Sequence, residues 1–261
     1  MDLIDTHCHI HSTDYPLDPK DVLIDARSDQ VSKLICVGQD LEDSKLAIDF
    51  SQKNQNVWAS IGIHPHESKH YTGNDGALAE FEALAAKDKV VAVGECGLDY
   101  FYNHSDKADQ KEILEFQIKV AQDNDLPLIF HVRDAFDDFW EIFDKFDNLH
   151  GVIHCFTADT DTLEEALRRN LHIGLNGIMT FTKNSIQLNA AERVPVDKLV
   201  LETDAPYLTP VPFRGTICQP KHVRETAKFL SKLRGDTLEN LAASTTRNAV
   251  KLFNLKDEDV K

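Results

Sequence analysis

Short apolar runs and longer amphipathic stretches alternate along the whole chain. Eight runs rich in Val, Ile and Leu lie at residues 3–10, 34–37, 57–63, 90–94, 128–132, 152–156, 173–175 and 199–202. They are apolar nearly throughout, the pattern of strands in a parallel sheet buried on both faces. Residues 19–32, 42–54, 75–87, 107–124, 135–146, 160–170, 221–233 and 237–253 have helical length and an amphipathic pattern. In the third of these, Leu78, Phe81, Leu84 and Ala85 keep the three–four spacing of one helix face. Eight strands alternating with helices predict an α/β fold, a TIM-type (β/α)8 barrel. A doubly wound open sheet shares the alternation and is the second architecture. The expected domain is single and spans residues 1–261, with the charged tail 256–261 frayed. No Gly/Ser/Pro-rich linker and no repeat of solenoid period divides it.

Composition narrows the class. The 261 residues suit one such barrel, which typically takes ~250, although two smaller domains also fit. Hydrophobic residues make up 42%, enough for a sizeable core and too many for a disordered chain. No apolar run approaches the ~20 residues of a membrane span. The opening residues, with Asp2, Asp5, His7 and His9, do not read as a signal peptide. The formal net charge is −16. A surface this acidic repels bulk nucleic acid and argues against non-specific coating of a duplex. It leaves room for a nuclease whose bound cations reverse the sign inside a cleft. Cys8, Cys36, Cys96, Cys155 and Cys218 form no Cys-x-x-Cys pair and lie mostly in strand-like segments. They read as buried free thiols in a reducing compartment, with the cytoplasm as the default.

Polar residues break the apolar pattern at one recurrent place, the C-terminal ends of the runs. His7 and His9 end the first run, His64 follows the third, Glu95 the fourth, His131 and His154 fall in the fifth and sixth, and Asp204 follows the eighth. In a barrel these ends converge on the active-site face. Residues i and i+2 of a strand point the same way, so His7 and His9 can reach one ion, and imidazole suits several divalent metals. A Glu after a run of Val and Ala is costly to bury unpaired. Glu95 is relieved either by bridging two cations or by pairing with an arginine such as Arg133. Six ligands exceed the four that Zn²⁺ usually takes, but divided over two ions with Glu95 shared, the count fits. Asp204 can then hold a water and take its proton. Glu202, one alternation before Asp204, is placed as an orienting residue or buried partner. His66, His70, His104, His150, His172 and His222 read as solvated surface residues, and Trp58 and Trp140 as packing. No Walker A, Rossmann fingerprint or Gly-x-Ser-x-Gly elbow is present, so neither an organic cofactor nor a serine nucleophile has support.

These segments, taken in order, resemble the TatD family of metal-dependent deoxyribonucleases in the amidohydrolase-like superfamily. The matching pieces are Asp5-Thr6-His7-Cys8-His9, Gly62-Ile63-His64-Pro65-His66, Gly94-Glu95-Cys96-Gly97-Leu98-Asp99-Tyr100, His131-Val132-Arg133-Asp134-Ala135, His154-Cys155-Phe156, Leu201-Glu202-Thr203-Asp204-Ala205-Pro206-Tyr207-Leu208 and Arg214-Gly215. The resemblance implies that His7 and His9 ligate one ion and His131 and His154 the other. Glu95 would bridge them, and Asp204 would be a ligand that also handles the proton. It places His64, Arg133 and Arg214 at substrate phosphates. It implies hydrolysis of DNA phosphodiesters, often 3′–5′ on single strands, with Mg²⁺ as the working metal and Zn²⁺ or Mn²⁺ as alternatives. Two stretches depart from the family pattern: Thr157-Ala158-Asp159 stands where a Ser-Gly pair is common, and Thr216-Ile217-Cys218-Gln219-Pro220 where an Asn-x-Pro motif is usual.

The expected function is therefore a two-metal nuclease acting on single-stranded or fragment ends, with no membrane partner. Two rivals share the barrel: a small-molecule amidohydrolase or phosphoesterase, and a metal-binding interaction module without activity. The carboxylate at position 95, where related barrels carry a lysine, favours the nuclease over the amidohydrolase.

Overall fold

The computed structural model describes residues 2–102 and 104–256; residues 257–261 of the tail expected to fray lie outside the described residues. In chain order the main elements are β1 (Leu3–Cys8), α1 (Pro19–Ser28), β2 (Val31–Val37), α2 (Leu41–Lys53), β3 (Val57–Ile61), α3 (Asp75–Leu84), β4 (Val90–Asp99), α4 (Lys107–Asp123), β5 (Leu128–Arg133), α5 (Phe136–Phe143), β6 (Gly151–Ile153), α6 (Thr160–Arg168), β7 (His172–Leu175), α7 (Ser185–Arg193), β8 (Leu199–Leu201), α8 (Val223–Leu233) and α9 (Leu238–Leu252). Short 3₁₀ turns, among them Pro65–His70 and Pro220–His222, lie in the connections.

The chain forms two compact units, residues 1–36 with 155–261, and residues 37–154. In the first, β1 pairs with β2 and β7 with β8; in the second, β3, β4, β5 and β6 pair in succession, every pair parallel. The sheet order follows the chain from β1 to β8. Within the first unit the end of β8 returns to β1. Asp204 N–H donates to His7 O at 2.8 Å, and His9 N–H to Ala205 O at 2.7 Å. Parallel strands in chain order that return to the first are a TIM-type (β/α)8 barrel, not the open sheet, whose order reverses.

Local chemistry explains the elements. Every residue of β1 and β3 is buried, as expected of strands covered on both faces. Helices start on short acidic caps: Asp18, Asp40 and Asp159 accept from the N–H of Lys20, Asp43 and Thr162, satisfying donors that the first turn leaves open. Pro19 sets the first helical φ of α1. In α3, Phe81 and Leu84 are buried, as the spacing predicts.

Several strand bounds need correction: β2 begins earlier, at Val31, and β3, β6 and β8 end earlier, at Ile61, Ile153 and Leu201, while two further changes bear on the site. The fourth strand continues past Gly94 to Asp99, because Cys96, Gly97, Leu98 and Asp99 pair in register with Phe130, His131, Val132 and Arg133 of β5. The register shifts between Val93 and Cys96, a bulge of the kind that re-aims a side chain, and Glu95 stands in it. The first strand ends at Cys8, although His9 still donates to the backbone of Ala205.

Candidate metal centre

In the first unit, alternation along β1 puts His7 and His9 on one side, with their Nε2 atoms 3.1 Å apart. Two nitrogens on a tetrahedral ion with bonds of ~2.0–2.1 Å stand about 3.3 Å apart, so this spacing suits a shared divalent ion. Asp204 Oδ1 lies 3.7 Å from His7 Nε2 and 3.4 Å from His9 Nε2. Asp204 has φ +63°, a left-handed conformation that Asp adopts more readily than most residues, and its neighbours are tied down. Asp5 and Thr203 hold the residues on either side of it. The buried Asp5 carboxylate accepts from Thr203 N–H at 2.8 Å and Thr203 Oγ1 at 2.6 Å, and Ala205 N–H donates to Thr203 Oγ1 at 3.1 Å. Burial pushes the Asp5 carboxyl well above its usual range, against the hydrogen bonds from Thr203 and His7.

In the second unit, Glu95 collects three imidazoles. Its Oε1 is 2.7 Å from His131 Nδ1, 2.8 Å from His154 Nε2 and 3.5 Å from His64 Nε2. His154 Nε2 is also 3.4 Å from His131 Nδ1. Burial alone would raise the Glu95 carboxyl. The imidazoles of His154 and His64, with hydrogen bonds from His131 and His154, instead hold it well below the carboxylate range. The approach depends on glycine at two places. A side chain on Gly62 would collide with the Glu95 backbone, and one on Gly97, at φ +150°, with the His131 carbonyl.

His131 is gripped from both sides. Its Nε2 is 3.0 Å from Asp99 Oδ2, which also meets His66 Nε2 at 3.1 Å. Burial would lower His131, but hydrogen bonds to Asp99 and Glu95 outweigh it and raise its pKa. Asp99 is itself buried, which would raise it; its contacts with His131 and His66 and the N–H of Tyr102 hold it well below its usual value. This is the carboxylate–histidine pairing that fixes a ligand's ring and leaves the other nitrogen for a metal. His64 is pushed well below its usual value by burial, despite the nearby Glu95.

The predicted site residues thus fall into two groups, His7, His9 and Asp204 in the first unit and His64, Glu95, His131 and His154 in the second. The ligand atoms of His64, Glu95 and His131 all lie within 4.8 Å of one another. His64, expected on the substrate side, is one of the imidazoles at Glu95. Arg133, the expected rival partner of Glu95, instead lays its guanidinium over Phe101, 3.9 Å from the ring centroid. Arg214 is exposed, stacks 3.8 Å over Phe181, and donates to Thr209 O at 2.7 Å. Glu202 is buried and accepts from Cys155 N–H at 2.6 Å and Asn176 Nδ2 at 3.2 Å.

Some residues were misplaced or missed. His222 is buried, not solvated. It stacks on Phe213 with centroids 4.9 Å apart, and its Nδ1 accepts from Gln219 N–H at 3.1 Å. His66 is held by Asp99 and is only partly exposed. Asp5 and Asp99 had no assigned role. Asp5 is one alternation before His7, and Asp99 is two after Glu95, so strand period was the available signal.

The donor set fits divalent metal. Nitrogen and carboxylate oxygen converge at 2.7–3.5 Å around Glu95, and His7 and His9 have ligand spacing. Imidazole with carboxylate accommodates several first-row ions.

Comparison with known proteins agrees. The family model "TatD related DNase" matches residues 4–254. The uncharacterized metal-dependent hydrolase YcfH of Escherichia coli K12 is 38% identical, covering 98% of this chain and 97% of its own. The 3′-5′ ssDNA/RNA exonuclease TatD of Cronobacter sakazakii is 35% identical, covering 96% and 97%. The crystal structure of YJJV, a TatD homologue from Escherichia coli, superposes with a TM-score of 0.90 at 28% identity, covering 97% of this chain and 98% of that one.

Proposed function

The chain belongs to the family of TatD-related DNases, metal-dependent hydrolases, and on that premise we propose that it is a 3′–5′ nuclease on single-stranded DNA ends, using two divalent ions. The observation that carries the reading is the buried Glu95 carboxylate, faced by His64, His131 and His154. We take the two units as parts of one catalytic domain, residues 1–261. His131 and His154 would hold one ion, His7 and His9 the other, with Glu95 between them. The support is positional: His7, His9 and His154 stand at or just past the C-terminal ends of β1 and β6, and Glu95 and His131 in the C-terminal halves of β4 and β5, the side that a TIM barrel gathers on one face. Such ions, when bound, supply Lewis acidity at a phosphoryl oxygen and make water acidic near neutral pH. Mg²⁺ is the proposed working metal, with Zn²⁺ or Mn²⁺ as substitutes.

The side chains have distinct tasks. Asp204 orients the attacking water and accepts its proton. Its backbone, fixed to β1 through Asp5 and Thr203, keeps the carboxylate beside His7 and His9. Burial works against a charged His64, and its Nδ1 accepts from His66 N–H at 3.2 Å. Its proton is therefore on Nε2, the tautomer that donates to a phosphate oxygen. Arg133 and Arg214 complete the phosphate contacts. The relative from Cronobacter is named for RNA as well as DNA, and single-stranded RNA is included in the proposal.

The test uses oligonucleotides labelled at either end, Mg²⁺, and Asp204→Asn. Shortening from the 3′ end, with kcat lowered about 10²–10⁴-fold in the variant, is expected. Cleavage of amides or lactones without cleavage of any oligonucleotide would overturn the reading in favour of the small-molecule hydrolase.

A further inference from the structure

Just beyond β4, two aromatic side chains stand in solvent. Phe101 is 53% exposed and Tyr102 43%, their rings edge to face with centroids 4.7 Å apart. The Arg133 guanidinium lies 3.9 Å from the Phe101 centroid and 4.9 Å from that of Tyr102. It is delivered there by the pairing of Asp99 with Arg133 across β4 and β5.

One carboxylate fixes this patch and the metal-side histidine together. Asp99 Oδ1 accepts from the N–H groups of Phe101 at 3.0 Å and Tyr102 at 2.9 Å, while Asp99 Oδ2 meets His131 Nε2 at 3.0 Å. Gln110 of α4 clamps the Asp99 backbone, its Oε1 accepting from Asp99 N–H at 2.8 Å and its Nε2 donating to Asp99 O at 3.1 Å. The rings are thus exposed but anchored.

We infer that Phe101, Tyr102 and Arg133 form a stacking shelf for an unpaired nucleobase of the substrate strand, next to the scissile end. The inference rests on the nuclease reading above and adds what selects the strand. A π-face backed by a guanidinium is the usual platform for single-stranded nucleic acid. In a chain of net charge −16, a cation set on the shelf gives the adjoining phosphate a local partner. Paired bases have their faces already covered, so the shelf favours single-stranded or frayed ends. Phe101 and Tyr102 bind, Arg133 binds and backs the rings, and Asp99 is a positioning residue.

The experiment compares kcat and KM for an oligonucleotide with those for the same strand made abasic at its 3′-terminal residues, using the metal-loaded enzyme. Wild type should prefer the base-bearing strand about tenfold, through KM. Phe101→Ala and Phe101→Leu should bring that ratio towards one, and Phe101→Trp should restore it; a merely structural aromatic would be replaced by Leu. A wild type indifferent to the missing bases, or a Phe101→Ala enzyme that keeps the full preference, would overturn the shelf while leaving the nuclease intact. Failure to cleave either strand would sink the nuclease reading and the shelf with it.

Discussion

Glu95 is a carboxylate that folding has taken out of water and surrounded with imidazoles. Histidines at 2.7–3.5 Å relieve that cost, and in the proposed centre His131 and His154 are the ones offered to a cation. Removing the carboxylate should leave three crowded imidazoles without the group they share, His131 still being held by Asp99. His222 makes a separate residue-scale prediction. Burial, with Lys221 adding to it, lowers its pKa from 6.5 to about 4. The folded state then binds the proton less readily than the unfolded chain. The stability owed to neutral His222 is complete above pH 6.5 and is lost as pH falls towards 4. His222→Gln should flatten the fall of Tm across that window; an unchanged slope would contradict the assignment. At this scale the ligand candidates were legible, because His7, Glu95, His131 and Asp204 interrupt apolar runs. The supporting carboxylates were not. Asp5 and Asp99 act by holding backbone N–H groups and a histidine ring, and nothing in their own residue type announces that. His222 was misread because its burial comes from Phe213 and a tight 3₁₀ turn, neither of which has a periodic signature.

Among the elements, α4 has a task beyond covering the sheet. Gln110 and Gln117, two turns apart on its buried face, bond to backbone groups as a neighbouring strand would. Gln117 Oε1 accepts from Ile63 N–H at 2.7 Å, and its Nε2 donates to Ile63 O at 2.9 Å, just before His64. Gln117→Met fills similar space but leaves both Ile63 groups without these partners. We predict a loss of about 1–3 kcal/mol in urea denaturation, accompanied by lower activity as His64 loses its support. A variant as stable as wild type would show that the clamp is dispensable. The strands and helices themselves were readable from period and length. The true length of β4 was not. Glu95, Gly97 and Asp99 look like a loop composition, and only register with β5 keeps them extended. The bulge at Glu95 is a property of two strands together, invisible in either alone.

For the whole molecule, the barrel was legible because eight apolar runs alternate with helices and no linker intervenes. What the alternation did not decide was closure, which depends on Asp204 and Ala205 meeting β1. The net charge of −16 makes its own prediction. Long-range repulsion of a polyanion is screened as ionic strength rises to ~0.15 M, where the Debye length is about 8 Å. The kcat/KM for single-stranded DNA should therefore hold or rise with monovalent salt over that range, contacts being few and local. A steep fall, the mark of many phosphate contacts, would contradict that view of a small footprint. The proposed metal-dependent nuclease centre turns on Glu95. It is tested most directly by stripping metal from wild type and Glu95→Ala, resupplying Mg²⁺, Mn²⁺ or Zn²⁺, and following end-labelled single-stranded DNA. The account predicts metal-restored shortening from the 3′ end in wild type and none in Glu95→Ala. Equal cleavage by the two proteins would contradict it.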